Sequence, residues 1–363
     1  MKQKKAGIWL LGIILLCAVG CTTQQADIGK QSIRQPLGHL QLAQPVVLQK
    51  ELTVARAGRM LKPIQQYKLP VAADQRLGLS CASEAFILYT GERYSPMAQK
   101  PELVVFYLLD RESGQSREVF TAGEQDIGRL ITAGEQFFWL EEDWEGSWRI
   151  VAYDPRQERK QTIAQGSEQE VSDIAAQGYE VYWLTRQAEG TSTLSVYQAV
   201  GGERQSIDLH EALLEQRLRI SLTADRLSVV TAEGIAVYQR LSGQWRNYLV
   251  PAGVLPDSNS FVQTDQAICW INGKVPGQSM LYSLSFEGGT LTQWTLPAEL
   301  HSFWLTADED RVFLTAEQGL YQLEMPSGKL SLLYTTNGLL FCQILSQGFM
   351  IEQGEQYTYL QWR

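Results

Sequence analysis

The chain has 363 residues, a formal net charge of −9, five cysteines and three histidines. An acidic surface repels phosphate backbones, which excludes nucleic acid as a partner, and so few histidines make a metal site of two or three imidazoles hard to assemble. The length suits one large all-β domain or two average ones.

At the amino end Lys2, Lys4 and Lys5 precede an uncharged run from Ala6 to Gly20. A membrane-spanning helix needs roughly 20 apolar residues, so residues 1–20 are predicted to be a cleaved signal peptide rather than a permanent span. The run ends at Ala18-Val19-Gly20-Cys21, which resembles the lipobox of bacterial lipoproteins, with Ala18 where Leu is commoner. That resemblance implies a membrane partnership through lipid on Cys21: the sulfur takes diacylglycerol as a thioether and the freed amine is acylated too. Two or three chains anchor a protein stably where one does not. The expected location is extracytoplasmic and lipid-anchored to the cell membrane. With Thr22 in place of a retaining Asp, it is the outer membrane in a host with two membranes.

Residues 21–64 read as the lipidated amino terminus and a tether. From 22 to 64, six basic residues (Lys30, Arg34, Lys50, Arg56, Arg59, Lys62) face two acidic ones (Asp27, Glu51), whereas 65–363 carries about −16. A basic tether suits an anionic lipid surface. Besides Cys21, cleavage leaves the thiols of Cys81, Cys269 and Cys342. Three thiols exclude a disulfide framework and leave one bridge open; unpaired thiols buried on strands are the simpler expectation.

From residue 65 onward the chain repeats itself. Segments 222–239 (LTADRLSVVTAEGIAVYQ) and 305–322 (LTADEDRVFLTAEQGLYQ) are one unit: a turn, a strand, a second turn and a second strand. Looser copies recur at Phe86–Tyr89, Phe137–Leu140, Val181–Leu184, Ala267–Trp270 and Gly348–Ile351. Seven copies at this spacing predict an all-β, seven-bladed β-propeller over 65–363, each blade a four-stranded sheet. Six blades, with the first or last unit outside the ring, is the alternative. Third strands are predicted at Leu103–Leu108, Trp148–Tyr153, Leu194–Tyr197, Ile235–Gln239, Met280–Leu284, Leu320–Leu323 and Tyr357–Trp362. An outer strand follows six of the seven. The missing one is assigned to Gln65–Pro70, an N-terminal strand that closes the ring against the last blade and covers its edge.

The pairs Phe138-Trp139, Tyr182-Trp183 and Cys269-Trp270 make the second strands resemble degenerate YWTD or TolB-like propeller blades, without the Thr-Asp that should follow each pair. The resemblance implies a fold and carries over no ligand. These aromatics are expected to pack between blades.

Strands of a blade alternate in direction, so loops joining strands two and three share a face with the blade-to-blade connections. The longer loops fall there, and the tight third-to-fourth turns lie opposite. The closing strand starts at the short-turn face, so the long-loop face is expected to point away from the membrane. On it Tyr94 and Met97 form one group, and Glu141, Glu142, Asp143 and Trp144 combine carboxylates with an indole. Together they are the candidate binding face, suited to gripping a cationic or sugar-like ligand by charge and stacking.

Signals of catalysis are missing. His210-Glu211 opens like a zinc-protease HExxH and lacks the second histidine, and no G-x-S-x-G elbow, C-x-x-C pair or phosphate-binding loop occurs. No catalytic residue, cofactor or metal ligand is assigned. The expected function is a membrane-anchored binding or scaffold protein that presents a propeller face to an envelope protein, peptide or glycan. A propeller hydrolase or lyase acting on envelope polysaccharide is the alternative.

Overall fold

Each second strand is a near-continuous apolar run because both of its faces are covered, one by each neighbouring blade. Phe137, Phe138, Trp139 and Leu140 are all buried on a single strand. Adjacent side chains on such a strand point to opposite faces, and the aromatic pairs divide accordingly. Trp139 packs towards blade 1 and Phe138 towards blade 3; Trp183 packs towards blade 2 and Tyr182 towards blade 4. The expected packing between blades is what these pairs do.

The computed structural model describes residues 47–363 apart from 56–59, 97–99, 124, 168–169, 172–173, 187–191, 210–219, 232–233, 252, 257–260, 273–278, 301–303, 309, 326, 337, 339–340 and 363. The predicted signal peptide, Cys21, the tether up to residue 46 and Met97 lie outside the described residues.

The described strands form seven sheets. Blade 1 is Arg76–Ala82, Phe86–Arg93, Leu103–Asp110 and Ser116–Ala122. Blade 2 is Ile131–Ala133, Gln136–Glu142, Trp148–Asp154 and Arg159–Gly166, with Asp126–Ile127 also paired to its second strand. Blade 3 is Ala175–Gln177, Glu180–Arg186, Ser192–Gln198 and Arg204–Leu209, with Glu170–Val171 in the matching place. Blade 4 is Ile220–Leu222, Arg226–Val230, Gly234–Gln239 and Gln244–Leu249. Blade 5 is Phe261–Gln263, Ala267–Asn272, Met280–Ser285 and Leu291–Thr295. Blade 6 is Trp304–Ala307, Val312–Ala316, Gly319–Glu324 and Lys329–Thr335. Blade 7 is Phe341–Leu345, Gly348–Gln353 and Gln356–Gln361, completed from the amino end by Pro63–Lys68.

That last pairing is antiparallel, from Pro63 opposite Leu360 to Lys68 opposite Gln356. It settles the count at seven and gives the closing strand its expected place. The chain upstream is also paired. Val47–Glu51 adds parallel to the outer strand of blade 5 and Thr53–Ala55 to that of blade 6. The amino-terminal segment thus follows the perimeter over blades 5, 6 and 7 before it enters blade 1, and part of the stretch read as tether is strand.

The core is a set of wedges between blades. Seven clusters of buried side chains occupy the seven interfaces, and the one between blades 7 and 1 joins Tyr67, Leu69, Ile87, Tyr89, Met350 and Tyr357. Polar side chains stitch that wedge at several points. The Gln343 amide donates to Ala82 O at 2.5 Å while Ala82 N donates to Gln343 Oε1 at 2.8 Å, so one side chain acts as a short stretch of strand between two inner strands. Arg111, in the third-to-fourth turn of blade 1, donates to the carbonyls of Ser83 and Glu84 and to the Tyr67 hydroxyl, and lies over the rings of Tyr67 and Tyr359.

Close approach explains one repeated glycine. Gly234 begins the third strand of blade 4, where a Cβ would stand 1.9 Å from Tyr248 O, and Gly319 holds the same place in blade 6 against Tyr334 O at 2.2 Å. Any side chain there pushes the outer strand off its ladder. Cys81, Cys269 and Cys342 are all free thiols. Burial pushes the first two up to about 12, which keeps them protonated and inert.

Candidate functional site

The two long loops of blades 1 and 2 meet on one face. In blade 2 the hairpin between Glu142 and Trp148 is braced by Asp143, whose Oδ1 accepts from the backbone N–H of Glu145 at 3.0 Å and of Ser147 at 2.8 Å. An aspartate that bonds its own following backbone fixes a tight turn. The turn projects Trp144 into solvent, 70% exposed. From blade 1, Lys100 brings its ammonium to 4.3 Å from the Trp144 ring centre and ion-pairs with Asp126 at 2.5 Å. Tyr94 is 37% exposed, and its hydroxyl donates to Glu92 at 2.6 Å. That bond to a carboxylate, aided by burial, pushes the Tyr94 phenol up to about 12, so it stays a donor.

The predicted residues therefore separate. Tyr94, Asp143 and Trp144 lie on the exposed face, Asp143 as the brace of the turn, and Glu142 is half-buried opposite Asp126 and Trp148. Glu141 does not face outward. Its side chain is 1% exposed and accepts from the Trp139 indole at 2.8 Å, from Arg149, and from Lys160 at 3.4 Å. Burial beside two cations and an indole N–H makes it an internal tie of blade 2, which removes it from the binding face. Lys100 and Asp126 were not legible as site residues. Lys100 lies between the second and third strands of blade 1, but nothing in its spacing places it over an indole 44 positions away.

Inside the ring, the inner strands of all seven blades surround a central channel of about 720 Å³. Most of its lining is apolar or neutral, from Leu79, Ile131, Ala175, Ile220, Val262 and Leu305. One carboxylate, Glu352, and one cation, Arg129, stand among the described lining residues. Ser80 donates to Glu352 Oε2 at 2.6 Å and Tyr357 donates to the same oxygen at 2.8 Å, while the two hydroxyls touch each other.

Burial raises the Glu352 carboxyl above its ordinary range, and the bonds from Ser80 and Tyr357 pull against that shift. A carboxyl that holds its proton more tightly folded than unfolded contributes stability that is full below its ordinary pKa. That contribution is lost as pH rises through the raised value. The stability of the parent relative to E352Q is therefore expected to fall across that interval in denaturant melts at a series of pH values. Parallel curves would show that folding leaves this carboxyl unperturbed.

No family profile matches the chain, and no curated protein does. Among solved structures, it is similar to a chain of the mitotic checkpoint complex, with a TM-score of 0.52 and 10% identity over 84% of this chain and 94% of that one. It is also similar to the β-propeller domain of the trilobed protease from Pyrococcus furiosus, with a TM-score of 0.51 and 10% identity over 80% and 93% of the two chains. A prolyl endopeptidase gives a TM-score of 0.51 and 11% identity over 77% of this chain, which spans 46% of that enzyme's length. At these identities the likeness is one of fold: the chain is a seven-bladed β-propeller. The trilobed protease domain is described as having an open velcro topology. Here the Pro63–Lys68 strand closes the last blade.

Proposed function

We propose that this chain is an extracytoplasmic binding or scaffold protein, held to a membrane by lipid on Cys21, that presents its long-loop face to an envelope protein, peptide or glycan. The observation that carries the reading is Trp144, 70% exposed on a braced turn with Lys100 against its ring. A large aromatic held rigidly in water is costly for the monomer and is the kind of residue that dominates binding when covered. The neighbouring Tyr94 and the pair Lys100–Asp126 supply donors and charge of both signs around it. The resemblance of the blades to YWTD or TolB-like repeats and of residues 18–21 to a lipobox belongs to the same proposal.

Two measurements test it. C21S is expected to move the protein from the membrane fraction to the soluble fraction and to abolish incorporation of labelled fatty acid; an unchanged distribution would defeat the anchor. W144A is expected to leave the melting curve within about 0.5 kcal/mol of the parent, as for exposed sites generally. A partner recovered with the parent from solubilised membranes should bind this variant at least about tenfold more weakly. Full recovery with W144A would move the site off this face.

A further inference from the structure

The channel holds a second arrangement that the outer face does not use. Phe341, at the start of blade 7's inner strand, is 43% exposed, and its ring lies 5.2 Å from that of Trp304, the first residue of blade 6's inner strand. Both line the channel. First residues of inner strands sit at the end where blade-to-blade connections arrive, so this aromatic pair stands at the long-loop mouth. Glu352 is the cross-strand partner of Phe341 on one side and of Tyr357 on the other. Cross-strand partners share a sheet face with Cβ atoms roughly 5 Å apart, and Glu352, Phe341 and Trp304 all line the channel, the carboxylate turned towards Ser80 of blade 1 and the Phe341 ring towards Trp304 of blade 6. No described residue forms an ion pair with it, and its hydrogen bonds from the described residues Ser80 and Tyr357 both fall on Oε2, leaving Oε1 as a second acceptor. The channel lining mixes apolar side chains with neutral polar ones; a half-buried carboxylate there is stabilised by a cation, and aromatic faces favour the same charge.

We propose that the long-loop mouth of the channel binds an organic ammonium that carries an apolar or aromatic group. The ammonium meets Glu352, oriented by the Ser80 and Tyr357 hydroxyls, and the apolar part lies against Phe341 and Trp304. Arg129, exposed where blade 2's inner strand begins, is the cation of the lining and disfavours ligands bearing several positive charges. The channel's volume of about 720 Å³ is within the range of small-molecule sites. This site is separate from the Trp144 surface and does not depend on how the protein is anchored.

The test titrates the full chain with phenethylamine and with 2-phenylethanol, its uncharged counterpart, following tryptophan fluorescence and heat. Phenethylamine is expected to saturate at or below about 10 mM, a range open to a ligand of about nine heavy atoms. The alcohol should bind at least about tenfold more weakly, the effect of losing a charge-assisted contact. E352Q preserves volume and can still accept from Ser80 and Tyr357, so it is expected to keep its melting transition and to lose at least about tenfold in amine affinity. F341A, at an exposed position, should weaken amine and alcohol alike. Equal affinity for the two probes, the absence of saturable binding, or an E352Q that binds the amine as the parent does would each overturn the proposal.

Discussion

R111A is expected to lose about 3 kcal/mol of stability, seen as an earlier denaturant midpoint, with amide exchange rising first in Pro63–Lys68. Arg111 is 8% exposed and, among the described residues, forms no ion pair with a carboxylate. Its charge is held by the carbonyls of Ser83 and Glu84, at 2.9 and 2.5 Å, and by the Tyr67 and Tyr359 rings at 5.7 and 4.9 Å. A guanidinium suits that place because Nη1 donates to both carbonyls while Nε donates to the Tyr67 hydroxyl and the planar face stacks on aromatics. Alanine leaves those carbonyls without a donor and opens a cavity between the closing strand and blade 1. R111K keeps the charge and loses the Nε donor to Tyr67 and the planar face over the two rings, so roughly half the cost is expected to remain. Gln65 also donates to the backbone carbonyl of Arg111, at 3.3 Å, a bond that alanine keeps, so the loosening of the closing strand is expected to come from the lost side-chain contacts to Tyr67 and Tyr359. An R111A midpoint within about 0.5 kcal/mol of the parent, or exchange rising evenly around the ring, would show that closure does not run through this residue.

The parts of the fold that were legible in the sequence are those that the wedges impose. A strand buried on both faces must be apolar throughout, and that is why Phe137–Leu140 or Ala267–Trp270 stands out from its surroundings. The third strands follow from the same constraint together with the polar turns after them. Closure was legible because seven units with six outer strands need one more, and Gln65–Pro70 reads as such a strand, against Pro63–Lys68 in the structure. The pairing of Val47–Glu51 and Thr53–Ala55 was not. Edge strands covered on one side carry little pattern, and their partners at Leu291–Thr295 and Lys329–Ser331 lie more than 200 residues away. Glu141 shows a second limit. At the end of an apolar strand a glutamate reads as the first exposed residue, and only the three-dimensional neighbours Trp139, Arg149 and Lys160 turn it inward. Glu352 was hidden for the same reason, since its partner Ser80 stands 272 residues away.

Amino-terminal truncation is expected to divide the perimeter segment into a dispensable part and an essential one. Deletion through residue 56 removes eight residues of parallel edge pairing on blades 5 and 6. The outer strands beneath them keep their own antiparallel ladders to Met280–Ser285 and Gly319–Glu324. Such a loss is expected to cost about 1–2 kcal/mol and to leave one cooperative transition. Deletion through residue 69 is different in kind. It removes the strand that connects blade 7 to blade 1, with Tyr67 and Leu69 from the wedge between them. It also bares the edge of Gln356–Gln361, whose Tyr357 and Leu360 are buried in the intact ring. Among the described residues, what remains across that wedge is the packing of Ile87 and Tyr89 on Met350 and Tyr357, Arg111 over Tyr359, and polar ties such as Gln343 to Ala82, Ser80 to Glu352, and Glu84 to the Ser346 N–H. Two large buried side chains and a six-residue ladder amount to a cost on the order of the whole stability of an ordinary domain, about 5–15 kcal/mol. The longer deletion is therefore expected to melt without a cooperative transition and to associate through the bared edge. A peptide spanning residues 60–70 added in trans should restore the transition. If both truncated chains melt as the parent does, the closing strand is an ornament and the ring holds by its wedges alone.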